Sequence, residues 1–146
     1  MTRHLSITRL RLRSLRFAPE FLFRTLASQR QIKRSDGFIE GYVAQGPGLT
    51  FWTVTSWTST DAMRGFRGAG AHRAALPKLA LWCDEAATAS LADDRFPDPA
   101  DAARLLVEYG RIFKVRYPSA AQERGEAWPD GQLPSAGPHL QPVKAR

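Results

Sequence analysis

Apolar and polar residues alternate from Ile7 to Arg13. Thr8, Leu10 and Leu12 fall on one face and Ile7, Arg9, Arg11 and Arg13 on the other, a period of two that predicts a strand with one face on a core. Pro19 suits a first helical turn. From Glu20 to about Lys33, Phe21, Leu22, Leu26 and Ile32 recur at roughly helical spacing, and Ser35-Asp36-Gly37 stops the predicted helix. Phe38 to Gln45 and Leu49 to Trp57 are rich in aromatic and β-branched residues and flank Gly46-Pro47-Gly48, which predicts two strands joined as a hairpin.

Thr58 and Asp61 have the spacing of a capping box, with Ala62, Met63 and Phe66 on the apolar side of the helix it opens; Gly65, Gly68 and Gly70 weaken and end it. A second helix is predicted from Ala71 or Pro77 to Ala89, its inner stripe carrying Leu76, Leu79, Ala80, Trp82, Cys83, Ala86 and Ala87. Asp98-Pro99 caps a helix from Ala100 to Tyr109 that closes at Gly110. Arg111 to Tyr117 alternates again, as a last strand ended by Pro118. Without the inserted helices the order is βαββαβ, the ferredoxin-like α+β unit. Residues 1–118 are expected to form that domain and residues 119–146, broken by Pro129, Pro134, Pro138 and Pro142, an extended or disordered tail. Helices covering one sheet face leave the other to be buried, commonly in a homodimer whose sheets face each other.

Composition narrows the chemistry. One cysteine, Cys83, forbids an intrachain disulfide and a cysteine-based zinc cluster; a reducing, cytoplasmic setting is expected. No segment approaches the ~20 apolar residues of a spanning helix, so no membrane partner is expected. The formal net charge is +7, much of the excess lying early in the chain. A βαββαβ sheet could bind nucleic acid through exposed aromatics, but its strands lack the Lys/Arg-Gly-Phe-x-Phe pattern, which ranks that reading low. Phosphate-loop, dinucleotide, nucleophile-elbow and HExxH patterns are absent, as are paired carboxylates for acid–base work. His4 and His139 lie near the ends, against a three-histidine metal site.

The run Phe51-Trp52-Thr53-Val54-Thr55-Ser56-Trp57-Thr58-Ser59-Thr60-Asp61-Ala62-Met63-Arg64-Gly65-Phe66, with Ala71-His72-Arg73, resembles the dimeric α+β-barrel superfamily. That superfamily includes antibiotic-biosynthesis monooxygenases, haem-degrading monooxygenases and spheroidene monooxygenase. The resemblance spans about Ser6 to Tyr117. It implies a ferredoxin-like βαββαβ fold with extra helices forming a dimeric α+β barrel, and an aromatic or anionic small molecule bound inside, with monooxygenase chemistry. A non-catalytic small-molecule-binding dimer is the alternative. In haem-binding members a histidine of this region ligates iron, and His72 is its nearest match. The short interval from Phe66, broken by Gly68 and Gly70, counts against haem and leaves the cofactor unassigned.

His72 is the candidate catalytic residue, since its ordinary pKa lies near neutrality. Trp57 and Phe66 are candidates to hold the ligand. Trp52 and Trp57 point to opposite faces of one strand. Arg9, Arg11 and Arg13 are candidate ligand-binding residues for an anion. Turned away from the helices, they need acidic partners, water or such a ligand, with Glu40 one available carboxylate. Asp84-Glu85 and Asp93-Asp94 read as capping and solvated acids.

Overall fold

The computed structural model describes residues 2–135 and 137–143. Its elements are β1 (Arg3–Leu12), α1 (Ala18–Lys33), β2 (Phe38–Gln45), β3 (Thr50–Trp57), α2 (Thr60–Arg67), α3 (Gly70–Trp82), β4 (Cys83–Asp93), α4 (Pro99–Tyr109), β5 (Arg111–Ile112), α5 (Ala120–Glu123) and β6 (His139–Leu140), with a short 3₁₀ turn at Leu15–Phe17. The strands form one six-stranded sheet in the order β5-β4-β1-β3-β2-β6. The inner four, β4-β1-β3-β2, are antiparallel throughout and carry the ferredoxin-like connections.

The expected barrel does not form. The sheet is open, ending in the two-residue strands β5 and β6, which do not pair with each other. The face given to a partner's sheet is covered by this chain itself. Helix α4 packs Ala102, Ala103, Leu105 and Leu106 against Leu5, Ile7, Trp52 and Val54, and Trp128 joins the same cluster. Helices α1, α2 and α3 cover the other face. With both faces covered, no bare sheet is left for stacking bases.

The closing strand of the βαββαβ unit also differs from expectation. It is Cys83–Asp93, a stretch with an alanine-rich helical pattern, whereas Arg111 to Tyr117 yields only the two-residue β5. Strand β4 lies between β1 and β5, and residues Glu85 to Ala89 are buried on both faces. Small side chains at Ala87 and Ala89 let α4 approach closely, so packing overrides helix propensity. Helix α3 therefore stops at Trp82 and carries Pro77 in its interior rather than at its start. Helix α2 is capped by Ser59, whose hydroxyl accepts from the Ala62 N–H, one residue beyond the expected Thr58.

Helix α1 is rotated from the sequence expectation. Phe21 and Ile32 are buried, but Leu22 and Leu26 are exposed together with Phe23. The face turned to the sheet carries Phe21, Thr25, Ser28 and Ile32, at helical spacing. Beyond Ser119 the chain lies against the sheet. Gln122 is buried, its side chain bonding the Ala86 N–H and the Phe113 carbonyl, and β6 pairs with β2 through Gly41 and Tyr42. Residues 136 and 144–146 of the expected tail lie outside the described residues.

Candidate functional site

Strand β1 sends Ser6, Thr8 and Leu10 toward α1–α3. The antiparallel registers set Thr8 between Thr53 of β3 and Thr88 of β4, and Ser6 between Thr55 and Ser90. Two rows of hydroxyl residues thus cross three adjacent strands on a face roofed by helices. Over them lies a cavity of about 280 Å³, near the lower end of the ~300–1,000 Å³ usual for small-ligand sites. The roof adds Thr25, Ser28 and Gln29 of α1, and the walls are mainly apolar and aromatic. The Ser6, Thr25, Ser28 and Thr53 side chains make no hydrogen bond to the described residues, so the lining offers donors and acceptors to whatever fills it.

At one end Trp57, Phe66 and His72 come together. Trp57 is fully buried, its indole N–H donating to Thr55 Oγ1 at 3.0 Å. Its ring stacks on Phe66 at 5.4 Å between centroids and 29° between planes, and Phe66 lies 4.7 Å from the His72 ring. His72 Nδ1 approaches the Arg67 carbonyl at 3.4 Å. A carbonyl only accepts, so this contact places the proton on Nδ1 and leaves Nε2 as an acceptor. Burial lowers the His72 pKa below the ordinary 6.5, and the nearby Arg67 charge adds to the effect. The ring is therefore neutral at pH 7, with an available lone pair on Nε2.

Gln31 of α1 holds this end in place. Its amide N–H₂ donates to the carbonyls of Phe66 (3.1 Å) and Ala69 (2.8 Å), and its Oε1 accepts from the His72 N–H at 2.9 Å. Gly70 has φ +56°, and a Cβ there would press on the Gln31 amide at 3.2 Å. The glycine thus serves two needs: a left-handed turn between α2 and α3, and room for the clamp.

Arg9, Arg11 and Arg13 lie away from this site. Arg9 is buried on the opposite face, 2 % exposed, with Nη1 2.9 Å from Glu85 and Nη2 2.8 Å from Asp130. Arg11 binds Asp84 through Nε and Nη2, at 2.9 and 2.8 Å, and also approaches Glu85 at 3.0 Å. Arg13 bonds the Leu81 carbonyl and stacks over Phe17 and Tyr117. Asp84 and Glu85, read as solvated caps, are thus the counterions of the arginine row, while Glu40 pairs with Arg3 and His139. The network also fastens the chain's end: Asp130 reaches Arg9, and the Ser119 hydroxyl donates to Glu85 at 2.8 Å.

Sequence reasoning missed the hydroxyl rows, Gln31 and Arg67. The available signal was Thr8 on the face assigned to the core, beside Leu10 and Leu12: a polar residue where a sealed core wants none. Among the described residues no cluster of histidine, cysteine and acidic side chains could hold a metal ion. Nor does the site fit haem. The cavity is small for a porphyrin, and the arginines that would meet propionates lie across the sheet. Cys83 is buried, and burial pushes its thiol up to about 12, which keeps it unreactive. Among the described residues no helix is long and apolar enough to cross a membrane.

No family model and no curated protein sequence matches the chain. Solved structures do. A Nitrosomonas europaea protein provisionally named an antibiotic biosynthesis monooxygenase aligns with TM-score 0.53 at 12 % identity, over 62 % of this chain and 88 % of its own. SnoaB, a cofactor-independent oxygenase from Streptomyces nogalater, aligns with TM-score 0.52 at 12 % identity, over 67 % and 97 %. A conserved protein from Methanosarcina mazei Go1 aligns with TM-score 0.52 at 10 % identity, over 80 % and 95 %. The chain shares its fold with these proteins. At these identities the likeness extends to the fold alone.

Proposed function

We propose that the protein binds a small aromatic molecule in the cavity between the sheet and α1–α3 and acts on it as a cofactor-independent oxygenase, with His72 as general base. The observation that carries this reading is the Trp57–Phe66–His72 stack at the end of a hydroxyl-floored cavity. A planar ring packs beside Trp57 and Phe66. Hydroxyls of Ser6, Thr8 and Thr53 meet its oxygen substituents. The Nε2 lone pair of His72 removes a proton from an activated ring carbon, and the electron-rich anion reacts with dioxygen. Converting a ring methylene and one O₂ into a ketone and one water balances without a reductant, which suits a site where no metal cluster is found among the described residues. SnoaB, of the same fold, is a cofactor-independent oxygenase.

The probe is 2-tetralone, whose benzylic methylene lies between a ring and a carbonyl. It is expected to shift the Trp57 indole N–H resonance and to consume oxygen, with His72→Asn slowing uptake by about a hundredfold. No shift at millimolar probe refutes the site. A shift without oxygen uptake refutes the oxygenase and leaves a binding protein, the reading favoured by the length of the His72–Arg67 contact, 3.4 Å, which orients the ring only loosely.

A further inference from the structure

The charges around the cavity are one-sided. Arg24, Arg67, Lys114 and His72 line it, and no aspartate or glutamate does. Elsewhere in this basic chain arginines carry their own counterions, as the buried Arg9 and the half-exposed Arg11 show. Within the lining, Arg24 is matched by Glu20 at 3.2 Å, and Lys114 stands exposed at the opposite end, beside Phe113 and Val115. Arg67 is partly buried, ends α2 beside Phe66, and makes no ion pair among the described residues. Its backbone carbonyl faces the His72 ring. A half-buried arginine next to a neutral imidazole, both bordering an apolar cavity with no carboxylate in its lining, can accept an anionic group.

We propose that the cavity's ligand is an aromatic carboxylate, its ring beside Trp57 and Phe66 and its carboxylate held by Arg67. This rests on the cavity reading above and adds the charge and the residue that reads it. Planar two-point pairing distinguishes guanidinium from ammonium, so the site favours a carboxylate over a neutral group of the same shape.

The test compares 2-naphthoate with 2-naphthamide, nearly isosteric and differing in charge, by calorimetry and by the shift of the Trp57 indole resonance. The expected result is a preference of about tenfold or more for naphthoate, the size of one charge-assisted hydrogen bond converted to affinity, shrinking with added salt. Arg67→Gln removes that preference, and Arg67→Lys restores part of it. Equal affinity of the two probes for the native protein overturns the anion inference while leaving the cavity intact. If neither probe binds, the cavity reading fails with it. If Arg24→Gln, and not Arg67→Gln, removes the preference, the assignment to Arg67 is overturned. Circular dichroism of each variant separates these outcomes from misfolding.

Discussion

The two faces of the sheet are made by the same strand and solved in opposite ways. From one face of β1, Arg9 and the half-exposed Arg11 enter a layer covered in part by α4 and the C-terminal segment, where Asp84, Glu85 and Asp130 neutralise them. From the other, Ser6 and Thr8 stand under α1–α3 with space left above them. Both faces border open space, but the pocket of about 400 Å³ beside the charged face is lined by ion-paired groups such as Arg9, Arg11, Glu85 and Asp130, whereas the cavity of about 280 Å³ on the hydroxyl face is walled mainly by apolar and aromatic side chains. Buried charges are costly unless paired, so the arginine row takes its counterions from within the chain, although Arg9 Nε and Trp52 Nε1 have no hydrogen-bond partner among the described residues. Hydroxyls tolerate incomplete satisfaction and can wait for water or a substrate. The loudest charge signal of the chain is thus paired within the fold, and its quieter polar residues line the proposed site.

Four substitutions or conditions test that contrast. The largest effect is expected for Arg9→Leu, which leaves Glu85, only 3 % exposed, with Arg11 and the Ser119 hydroxyl and takes the ion-pair partner from Asp130. A loss of about 3–5 kcal/mol in urea unfolding is expected, partly restored by the Arg9→Leu/Glu85→Leu pair. Ligand affinity in the fraction still folded should not change; a loss of binding there would erase the division between the faces. Gln31→Leu should cost about 2 kcal/mol, since three backbone groups lose their partner, and should also disturb the His72 ring resonances. An unchanged His72 spectrum would mean that α1 does not position it.

Acid sensitivity comes next. Burial lowers the pKa of both His72 and His4, so the unfolded chain binds more protons than the folded one just below pH 6.5. Stability from these groups is therefore present above about pH 6.5 and declines as pH falls from there toward their lowered folded values. His72→Asn should flatten the unfolding midpoint across that window, and an unaltered slope would assign the sensitivity to His4 and the carboxylates. The smallest effect on stability is expected for Thr8→Val. The Thr8–Thr88 hydroxyl contact is long, 3.3 Å, and the replacement is isosteric, so the change should stay below about 1 kcal/mol. Affinity for a hydroxylated ring should fall while affinity for naphthalene does not.

The legible part of the fold was its alternation. Leu10 and Arg9 fall on the faces that their period assigns, and Trp52 and Trp57 divide between the α4 layer and the cavity as strand geometry requires. The illegible parts share a cause. Cys83–Asp93 has helical composition and becomes a strand because it alone fills the slot between β1 and β5. Helix α1 turns Thr25 and Ser28 inward and Leu22 and Leu26 outward, an inversion that makes sense only once a cavity lies beneath it. The site was half legible. Trp57, Phe66 and His72 come together. Gln31 acts from another helix, and its role depends on a contact that no local spacing encodes.

Leu140 reaches back to Phe38, Trp57 and Met63 and forms part of the cavity wall. A chain synthesised from its N-terminus therefore lays down floor and roof long before this last wall residue is available. Until β6 docks on β2, the aromatic end of the cavity stays unsealed. If the cavity holds a ligand as proposed, a chain halted before Leu140 should hold it far more weakly than one that includes β6.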